Sequence, residues 1–309
     1  MTRGEWLGWL PAIAGYAALV VVSACLPSAF LGDDLAAYLA AGGDLLRGLP
    51  IYAGRITEQG VFLYSPVWAL LFAPLSLLPT ALVHGGLALL DLLCLRFLAG
   101  SWRNAGYLLL LPVVVFSVTS GNIDLLIAAA MVIAWRAAAG PLVLFAAAKI
   151  APGFGLPLHR WREALLVALV MFAVTLPWLG LWGEWVWFLW HQPTEIGWML
   201  PIPWWSRLPL ALLLLVPRRP WTSALAAVVA TPGFYWTTTV LLLAPVRLYL
   251  DRRDPRLVAA TEAEWKHLGW LDRLLAPGSR RRLAELVGAH AFLPAHERGV
   301  EPRKVAESA

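Results

Sequence analysis

The sequence predicts an all-α, polytopic integral membrane protein with about ten transmembrane helices. Of its 309 residues, 60% are hydrophobic and only 14% are charged, and the mean hydropathy is +0.69. Soluble domains average about a quarter charged residues, and only a surface that faces lipid tolerates so few. The 18 tryptophans agree with this class, because Trp concentrates where a membrane meets water.

Ten apolar stretches, some of them short, define the expected membrane spans. They are residues 6–30, 62–79, 81–98, 105–119, 123–138, 141–158, 163–181, 204–217, 222–235 and 236–250. The pairs around Pro79, Gly121, Gly140 and Pro232 are either tight hairpins or kinks within one helix. The first stretch is longer than the apolar core of a signal peptide, so we expect a transmembrane helix there.

Composition divides the chain into a membrane domain, 1–250, and a cytoplasmic amphipathic tail, 251–309. The tail alternates acidic and basic residues, as a segment at the membrane surface does. It lacks a basic face with stacking aromatic residues, so no nucleic-acid partner is expected. Cys25 and Cys94 lie inside apolar runs and are expected to pack as small residues. No cluster of His, Cys or Asp has metal-ligand spacing, and we expect no metal in the site.

Arginines in short loops give the expected orientation, because cytoplasmic loops carry an excess of Arg and Lys. The basic segments are "HRWR" (159–162), "PRRP" (217–220) and "RLYLDRRDPR" (247–256). Ten spans place all three segments, with both termini, in the cytoplasm. The loop 31–61 and the stretch Trp182–Trp198, which contains no Arg or Lys, then lie outside as loops. Asn122 falls in a turn on the cytoplasmic side.

The first outer loop is expected to contain an amphipathic helix that lies along the membrane interface. Asp33 is placed as the N-cap, apolar residues follow at helical spacing, and Gly48 follows Arg47 as a stop. Asp34 would lie in the first turn, where the helix dipole favours a carboxylate. Helix capping alone therefore accounts for both aspartates, and Asp44 is expected to pair with Arg47 or to face water.

Several short motifs follow one another in a fixed order across roughly residues 30–165. The matching residues are Asp34 and Tyr38; Gly48, Pro50 and Tyr52; Phe62, Tyr64 and Pro66; Pro74 and Pro79; Gly121 and Asn122; and Lys149 and Pro152. In this order the chain resembles the bacterial polyprenol-phosphate-mannose-dependent mannosyltransferase family, whose members have the GT-C membrane fold. The chain departs from the family pattern at Ser65, where the family has a proline, and it lacks the glutamine that usually follows the motif glycine.

The resemblance implies a GT-C-like, inverting membrane glycosyltransferase in the bacterial inner membrane. Its expected donor is a polyprenyl-phosphate sugar, most simply mannose, and its acceptor is a glycolipid or a cell-envelope glycan at the outer face. By the resemblance Asp34 is the base that takes the acceptor proton, and Asp33 is a candidate helper. A lipid-linked donor makes nucleotide-sugar motifs unnecessary, and we expect no further cofactor. Membrane lipids are the remaining partners.

Basic residues are the candidates for binding the donor phosphate. Lys149 is the one lysine in the membrane domain, and a lysine at that depth is a functional candidate by default. A structural ion pair with Asp124 or Asp91 explains it equally well. The other candidates on the outer side are Arg47, Arg55, His191 and Arg207.

Aromatic residues are the candidates for binding substrate. The motif tyrosines Tyr38, Tyr52 and Tyr64 follow from the resemblance, and Trp187 and Trp190 could stack on sugar rings. Anchoring of tryptophan at the membrane interface explains the latter two as well.

Two other classes of function stay open. In a lipid or solute transporter or flippase, Asp34 and Lys149 would line a translocation route, and further polar residues would lie deeper in several spans. A non-catalytic component of a glycan-assembly complex would be a degenerate relative of these enzymes that keeps the motifs but has no transferase activity.

Overall fold

The computed structural model describes residues 3–25, 33–52, 62–191, 204–232 and 236–253, which all belong to one compact unit, Met1–Pro255. Within these ranges the chain is helical and has no strand, which confirms the predicted all-α class. The tail 251–309 lies almost wholly outside the described residues, as does Arg55.

Thirteen α-helices run through the described ranges. They are α1 (Arg3–Cys25), α2 (Asp33–Arg47), α3 (Pro66–Phe72), α4 (Thr80–Ala99), α5 (Trp102–Leu108), α6 (Pro112–Ser120), α7 (Asp124–Arg136), α8 (Gly140–Ala148), α9 (Trp161–Thr175), α10 (Leu179–His191), α11 (Trp204–Leu215), α12 (Pro220–Val229) and α13 (Leu243–Arg253). Short 3₁₀ segments join several of them, at Leu75–Leu77, Ala151–Gly155, Leu158–Arg160, Leu176–Trp178 and Trp236–Leu242.

Three helical segments in the described ranges are long and apolar enough to cross a membrane, which makes this a membrane protein by helix length and composition. They are Gly8–Cys25, Thr80–Ala99 and Leu158–His191. A fourth is added if α5 and α6, which meet at 98°, count as one broken span. The other apolar helices are shorter, so the count of ten spans is not confirmed.

Two expected elements have a different form. The stretch 105–119 is not one straight span, because Pro112 begins a new helix after the sharp bend. Proline lacks the N–H that an uninterrupted helix needs, which explains the break. Trp182–His191 is not a loop but part of α10. Its apolar and aromatic residues continue the helical pattern of α9, whereas the prediction rested on the absence of basic residues.

The amphipathic helix of the first loop is present as α2, and it begins at Asp33 itself. Its apolar face is buried, with Leu35 and Tyr38 fully inaccessible. Gly48 ends it with φ of +67°, a left-handed conformation that glycine adopts without steric cost. The predicted helix and its stop are therefore confirmed.

Contacts between helix termini define two ends of the bundle, which we call the Asp34 end and the Arg136 end. At the Asp34 end, the Asn122 side chain donates to Asp34, and His84 bonds the carbonyl of Thr119. At the Arg136 end, Arg136 forms an ion pair with Asp251. Helix α7 joins the two ends and is about 18 Å long, at about 1.5 Å per residue.

The segment 140–155 leaves the Arg136 end and returns to it without passing the Asp34 end. It begins beside Glu163, whose carboxylate accepts from the Ala139 N–H at 2.7 Å. Lys149, at its tip, reaches Asp124. The chain then turns back, and the Gly155 carbonyl accepts from the Trp135 indole at 3.0 Å. The expected span 141–158 is therefore a hairpin with Lys149 at its turn.

Helices α1 and α5 cross in close contact because both carry glycine at the crossing point. A Cβ at Gly15 would lie 1.8 Å from the backbone oxygen of Gly106, and a Cβ at Gly106 would lie 2.7 Å from Ala12. Small residues let helix backbones approach in this way inside a membrane.

Replacing Gly15 with Ala is expected to lower the free energy of unfolding by about 1–3 kcal/mol, the usual cost of overpacking. Gly86→Ala on α4 is the matched control, because nothing lies within 4 Å of a Cβ there. It should leave stability unchanged or slightly raised, since Ala favours a helix over Gly. Thermal unfolding of the purified variants in detergent measures both effects, and equal melting temperatures would contradict this packing.

Candidate functional site

Four polar residues from three parts of the fold meet at the Asp34 end; we call them the Asp34 cluster. Asn122 donates from Nδ2 to Asp34 Oδ2 at 2.9 Å, and its Oδ1 accepts from the backbone N–H of Asp124 at 2.8 Å. Lys149 Nζ donates to Asp124 Oδ1, also at 2.8 Å. The cluster therefore links a carboxylate on α2 to an ammonium on the hairpin 140–155 through a single turn of the chain.

The turn between α6 and α7 depends on Gly121. Its φ is +71°, and its N–H and that of Asn122 both bond the carbonyl of Ser117, which closes the end of α6. A Cβ at Gly121 would lie 2.9 Å from the Cβ of Leu35. Only glycine meets both the backbone and the packing requirement. This close approach brings α2, and with it Asp34, to Asn122.

Lys149 reaches the cluster because α8 ends there. Its own backbone is extended, at φ −124° and ψ 108°, and its N–H bonds the carbonyl of Phe145. Pro152 follows in the 3₁₀ segment, where a ring without N–H prevents an α-helix from continuing. Lys149 Nζ also lies 5.8 Å from the ring centre of Tyr64, a cation–π distance.

The two outer members of the cluster are accessible, whereas its centre is not. The Asp124 side chain is 1% exposed and the Lys149 side chain 25% exposed, and Asp34 is half-buried. A buried carboxylate needs a partner, and Lys149 supplies the positive charge. The ion pair between Lys149 and Asp124 that the sequence suggested is thus confirmed, and the partner is Asp124 rather than Asp91. The predicted contact of Lys149 to a phosphate stays a prediction.

The motif tyrosines form the wall behind the cluster. Tyr38 donates its hydroxyl to that of Tyr64 at 2.9 Å, with the two rings edge to face, and Tyr52 donates to the Tyr64 backbone carbonyl at 2.9 Å. Burial, followed by the neighbouring Tyr64, raises the pKa of Tyr38 well above its usual range, so its hydroxyl stays a donor. Tyr38 has no exposed surface and Tyr64 very little. Their contact to substrate stays a prediction. In the structure these tyrosines pack behind Lys149, whose ammonium lies over the Tyr64 ring.

Other predicted cations lie away from the cluster. Arg47 is 13 residues along α2 from Asp34, about 20 Å at the helical rise, and pairs with Asp44 at 2.6 Å as expected. His191 stacks on Trp187 at 4.3 Å and bonds its carbonyl. Arg207 donates to the carbonyl of Pro232 at 3.0 Å. Their roles in phosphate binding stay predictions.

The side chains of two further candidates, Asp33 and Arg55, lie outside the described structure. Asp33 is the first residue of α2, with its side chain outside the described structure. Arg55 lies outside the described residues altogether.

Trp187 and Trp190 occupy the exposed side of α10, 63% and 83% accessible. They line an open groove of about 650 Å³ together with Trp182 and His191. The opposite side of α10 packs on the cluster's wall, where Phe188 meets Tyr52 and the Trp185 indole donates to the Leu63 carbonyl. The two exposed tryptophans therefore flank the site without touching the four cluster residues, and sugar stacking and membrane anchoring both stay open for them.

Asn122 and Asp124 are the functional candidates that sequence reasoning missed. Asn122 was expected in a cytoplasmic turn, opposite to Asp34; its 2.9 Å hydrogen bond to Asp34 shows that the two lie at the same end, so that expectation was wrong. The error came from counting 62–79 as a stretch that crosses from one end of the bundle to the other. The signal was in the sequence "SGNIDLL", since an aspartate within an apolar run is rarely without a role.

Within the described ranges, no group of three or more His, Cys, Asp or Glu side chains is placed to hold a metal ion. No protein-family model matches the chain, and no curated protein or solved structure shows significant similarity to it.

Removing the Lys149 charge alone is expected to destabilise the protein. Lys149→Met leaves Asp124 buried without its partner and should cost about 3–5 kcal/mol of unfolding free energy. The double variant Lys149→Met/Asp124→Asn removes both charges and should recover most of that loss. Thermal unfolding in detergent gives the comparison.

The pair Asp44 and Arg47 on α2 is the matched control, because both side chains are far more exposed. Arg47→Met and Asp44→Asn should each change stability by less than about 1 kcal/mol. A double variant at 124 and 149 no more stable than Lys149→Met would show that the ion pair does not explain the cost.

Proposed function

We propose that the protein is a membrane glycosyltransferase that moves a sugar, most simply mannose, from a polyprenyl-phosphate donor to a glycolipid or cell-envelope glycan. The observation that carries this proposal is the Asp34 cluster, in which Asn122 and Asp124 hold a half-buried carboxylate and a partly exposed ammonium in one connected site. Glycosyl transfer from a lipid phosphate requires these two groups, a base for the acceptor and a positive charge for the leaving phosphate.

The distribution of arginine supports an outward-facing site. The Arg136 end carries the ion pair with Asp251, the segment 158–162 beside Trp135, and the loop 216–219, whose neighbour Trp221 contacts Tyr249. Cytoplasmic ends of membrane helices carry such an excess of arginine. The Asp34 end then faces the exterior of the bacterial inner membrane.

An eight-crossing topology fits these contacts and keeps both termini in the cytoplasm. Near the start of the apolar stretch 62–79, Tyr64 bonds Tyr38 on α2. Near its end, Ser76 lies beside Gly43, which is also on α2. Both ends of the stretch therefore lie at the Asp34 end. The hairpin 140–155 starts and finishes at the Arg136 end. Removing these two from the ten expected spans leaves eight, and the predicted orientation of the basic loops is unchanged.

In the proposed reaction, the Asp34 carboxylate takes the proton of an acceptor hydroxyl. The hydroxyl oxygen forms a bond to the anomeric carbon of the sugar while the bond from that carbon to the phosphate oxygen breaks. The configuration inverts, and polyprenyl phosphate leaves. Lys149, directed toward the exposed side, stabilises the negative charge that grows on the phosphate.

Asn122 and Asp124 act as positioning residues in this scheme. The Asn122 amide fixes the orientation of the Asp34 carboxylate by donating to its Oδ2. Asp124 keeps the Lys149 side chain at the turn of its hairpin. The close Gly121–Leu35 contact sets the distance between the two halves of the site.

A transporter or flippase is the second candidate, and the depth of the charged residues favours it. Asp124 and Lys149 lie inside the apolar bundle, and Asp91 is fully buried on α4. Ionisable groups in that position mark ion and substrate pathways in many membrane proteins. The accessible carboxylate of Asp34 at one end is what favours the enzyme.

Asp34→Asn is expected to lower sugar transfer at least about a hundredfold, the contribution of a general base. The assay follows labelled mannose from polyprenyl-phosphate-mannose into lipid or glycan, in membranes that contain the protein and the host's glycolipids. Asp44→Asn on the same helix is the control and should transfer at the wild-type rate, because Asp44 pairs with Arg47 far from the cluster. If Asp34→Asn is folded and fully active, Asp34 is not the base. If the wild-type protein moves no sugar from a broad panel of donors, the glycosyltransferase proposal fails and the transporter becomes the favoured function.

Asn122→Ala is expected to give a smaller loss, up to about a hundredfold in kcat, because a misplaced base still accepts a proton. KM for the donor should change little, since Asn122 bonds Asp34 and not the lysine. A variant with normal kcat and a raised KM would contradict a positioning role and point to direct donor binding.

A further inference from the structure

Asp91 stands apart from the Asp34 cluster as a buried acid with no visible partner. It lies near the middle of α4, a 20-residue apolar helix, and its exposed fraction is 0%. Both of its carboxylate oxygens are buried and accept no hydrogen bond from any residue in the described ranges. The Asp34 and Asp124 carboxylates, in contrast, each have a donor.

The groups around Asp91 do not neutralise a negative charge. Asp124 on α7 is close enough for the two carboxylates to repel each other. Lys149 is already bonded to Asp124 at 2.8 Å, and the Cys94 thiol is one turn further along α4. Helix α6 also packs on α4, and it contains no charged residue.

The basic residues near α4 lie at its two ends. Arg96, in the last turn of α4 and five residues from Asp91, lies over the Trp102 ring at 5.9 Å. Arg247 on α13 reaches the Leu98 carbonyl, two turns from Asp91, and Arg103 on α5 is exposed. His84 bonds the Thr119 carbonyl, two turns toward the other end. These positions leave the central part of α4 without a cation beside Asp91 in the described structure.

An ionised carboxylate in an apolar interior is so costly without a partner that the group takes a proton instead. Asp91 and Asp124 are the fully buried carboxylates here, and with both of them and Lys149 charged the buried part of the bundle would carry a net charge of minus one. One bound proton makes it neutral. We propose that Asp91 is a proton-binding site and that the protein holds it as a carboxylic acid at neutral pH.

The proton on Asp91 has a consequence for the Asp34 cluster. Its release would set two carboxylates against one ammonium and would draw the Lys149 charge further into the bundle. Its retention leaves the Lys149 charge shared only with Asp124. Proton occupancy of Asp91 therefore adjusts the field at the accessible end of Lys149, whichever substrate binds there.

Infrared spectroscopy tests the proton directly and needs neither substrate nor activity. Wild-type protein and Asp91→Asn are reconstituted in lipid at about pH 7, roughly three units above the ordinary value of an aspartic acid. The difference spectrum is expected to contain the carbonyl band of a protonated carboxyl group, with its usual shift in heavy water. Asp44→Asn, which removes a partly exposed carboxylate paired with Arg47, is the control and should give no such acid band.

A carboxylate band lost from Asp91→Asn, in place of the acid band, would overturn the proposal. Repeating the measurement with sodium and with choline as the only cation separates a proton from a metal cation. An acid band that sodium abolishes would make Asp91 a sodium site instead. Because Asn has the shape of the protonated acid, Asp91→Asn should fold with an unchanged melting temperature, and a loss of folding there would also count against a neutral Asp91.

Discussion

The cost of charge inside an apolar bundle is the constraint on which the rest of this structure depends. Asp124 is almost wholly buried at the start of α7, and an isolated ion in that position would be prohibitive. The hairpin 140–155 meets this requirement by bringing Lys149 to it. A lysine that has to reach a fixed carboxylate determines where α8 ends, and the end of α8 in turn determines where the chain folds back.

Small residues make the same arrangement possible from the other side. Gly121 lets α2 approach the start of α7. Gly42 lets α2 approach the end of α3, where a Cβ would lie 2.6 Å from the backbone of Phe72. Without the approach at Gly121, Asn122 could not reach Asp34. The cluster therefore depends on two kinds of residue with opposite properties: charged side chains that must be paired, and glycines that let the backbones carrying them come together.

Sequence reasoning predicted the class, the amphipathic α2, the Asp44–Arg47 pair and an ion pair of Lys149, because each depends on local spacing or on a general cost of burial. It failed where the path of the chain decides. Hydropathy measures how apolar a stretch is, not whether it crosses or turns back, so the hairpin 140–155 was counted as a span. The same ambiguity in the earlier stretch 62–79 placed Asn122 at the wrong end, away from the Asp34 carboxylate that it bonds.

The cost of buried charge also explains why Asp124 and Asp34 have different roles in the proposed reaction. Asp124 is paired with the Lys149 ammonium at 2.8 Å, which stabilises its negative charge. Asp34 accepts from the Asn122 amide and is only half-buried, so in the proposed reaction it is the carboxylate that an acceptor hydroxyl can approach. A base must be reached by the hydroxyl whose proton it takes, and Asp124, with 1% of its side chain exposed, cannot be. This difference in access is why the proposed reaction uses Asp34 for proton transfer and Asp124 for positioning Lys149.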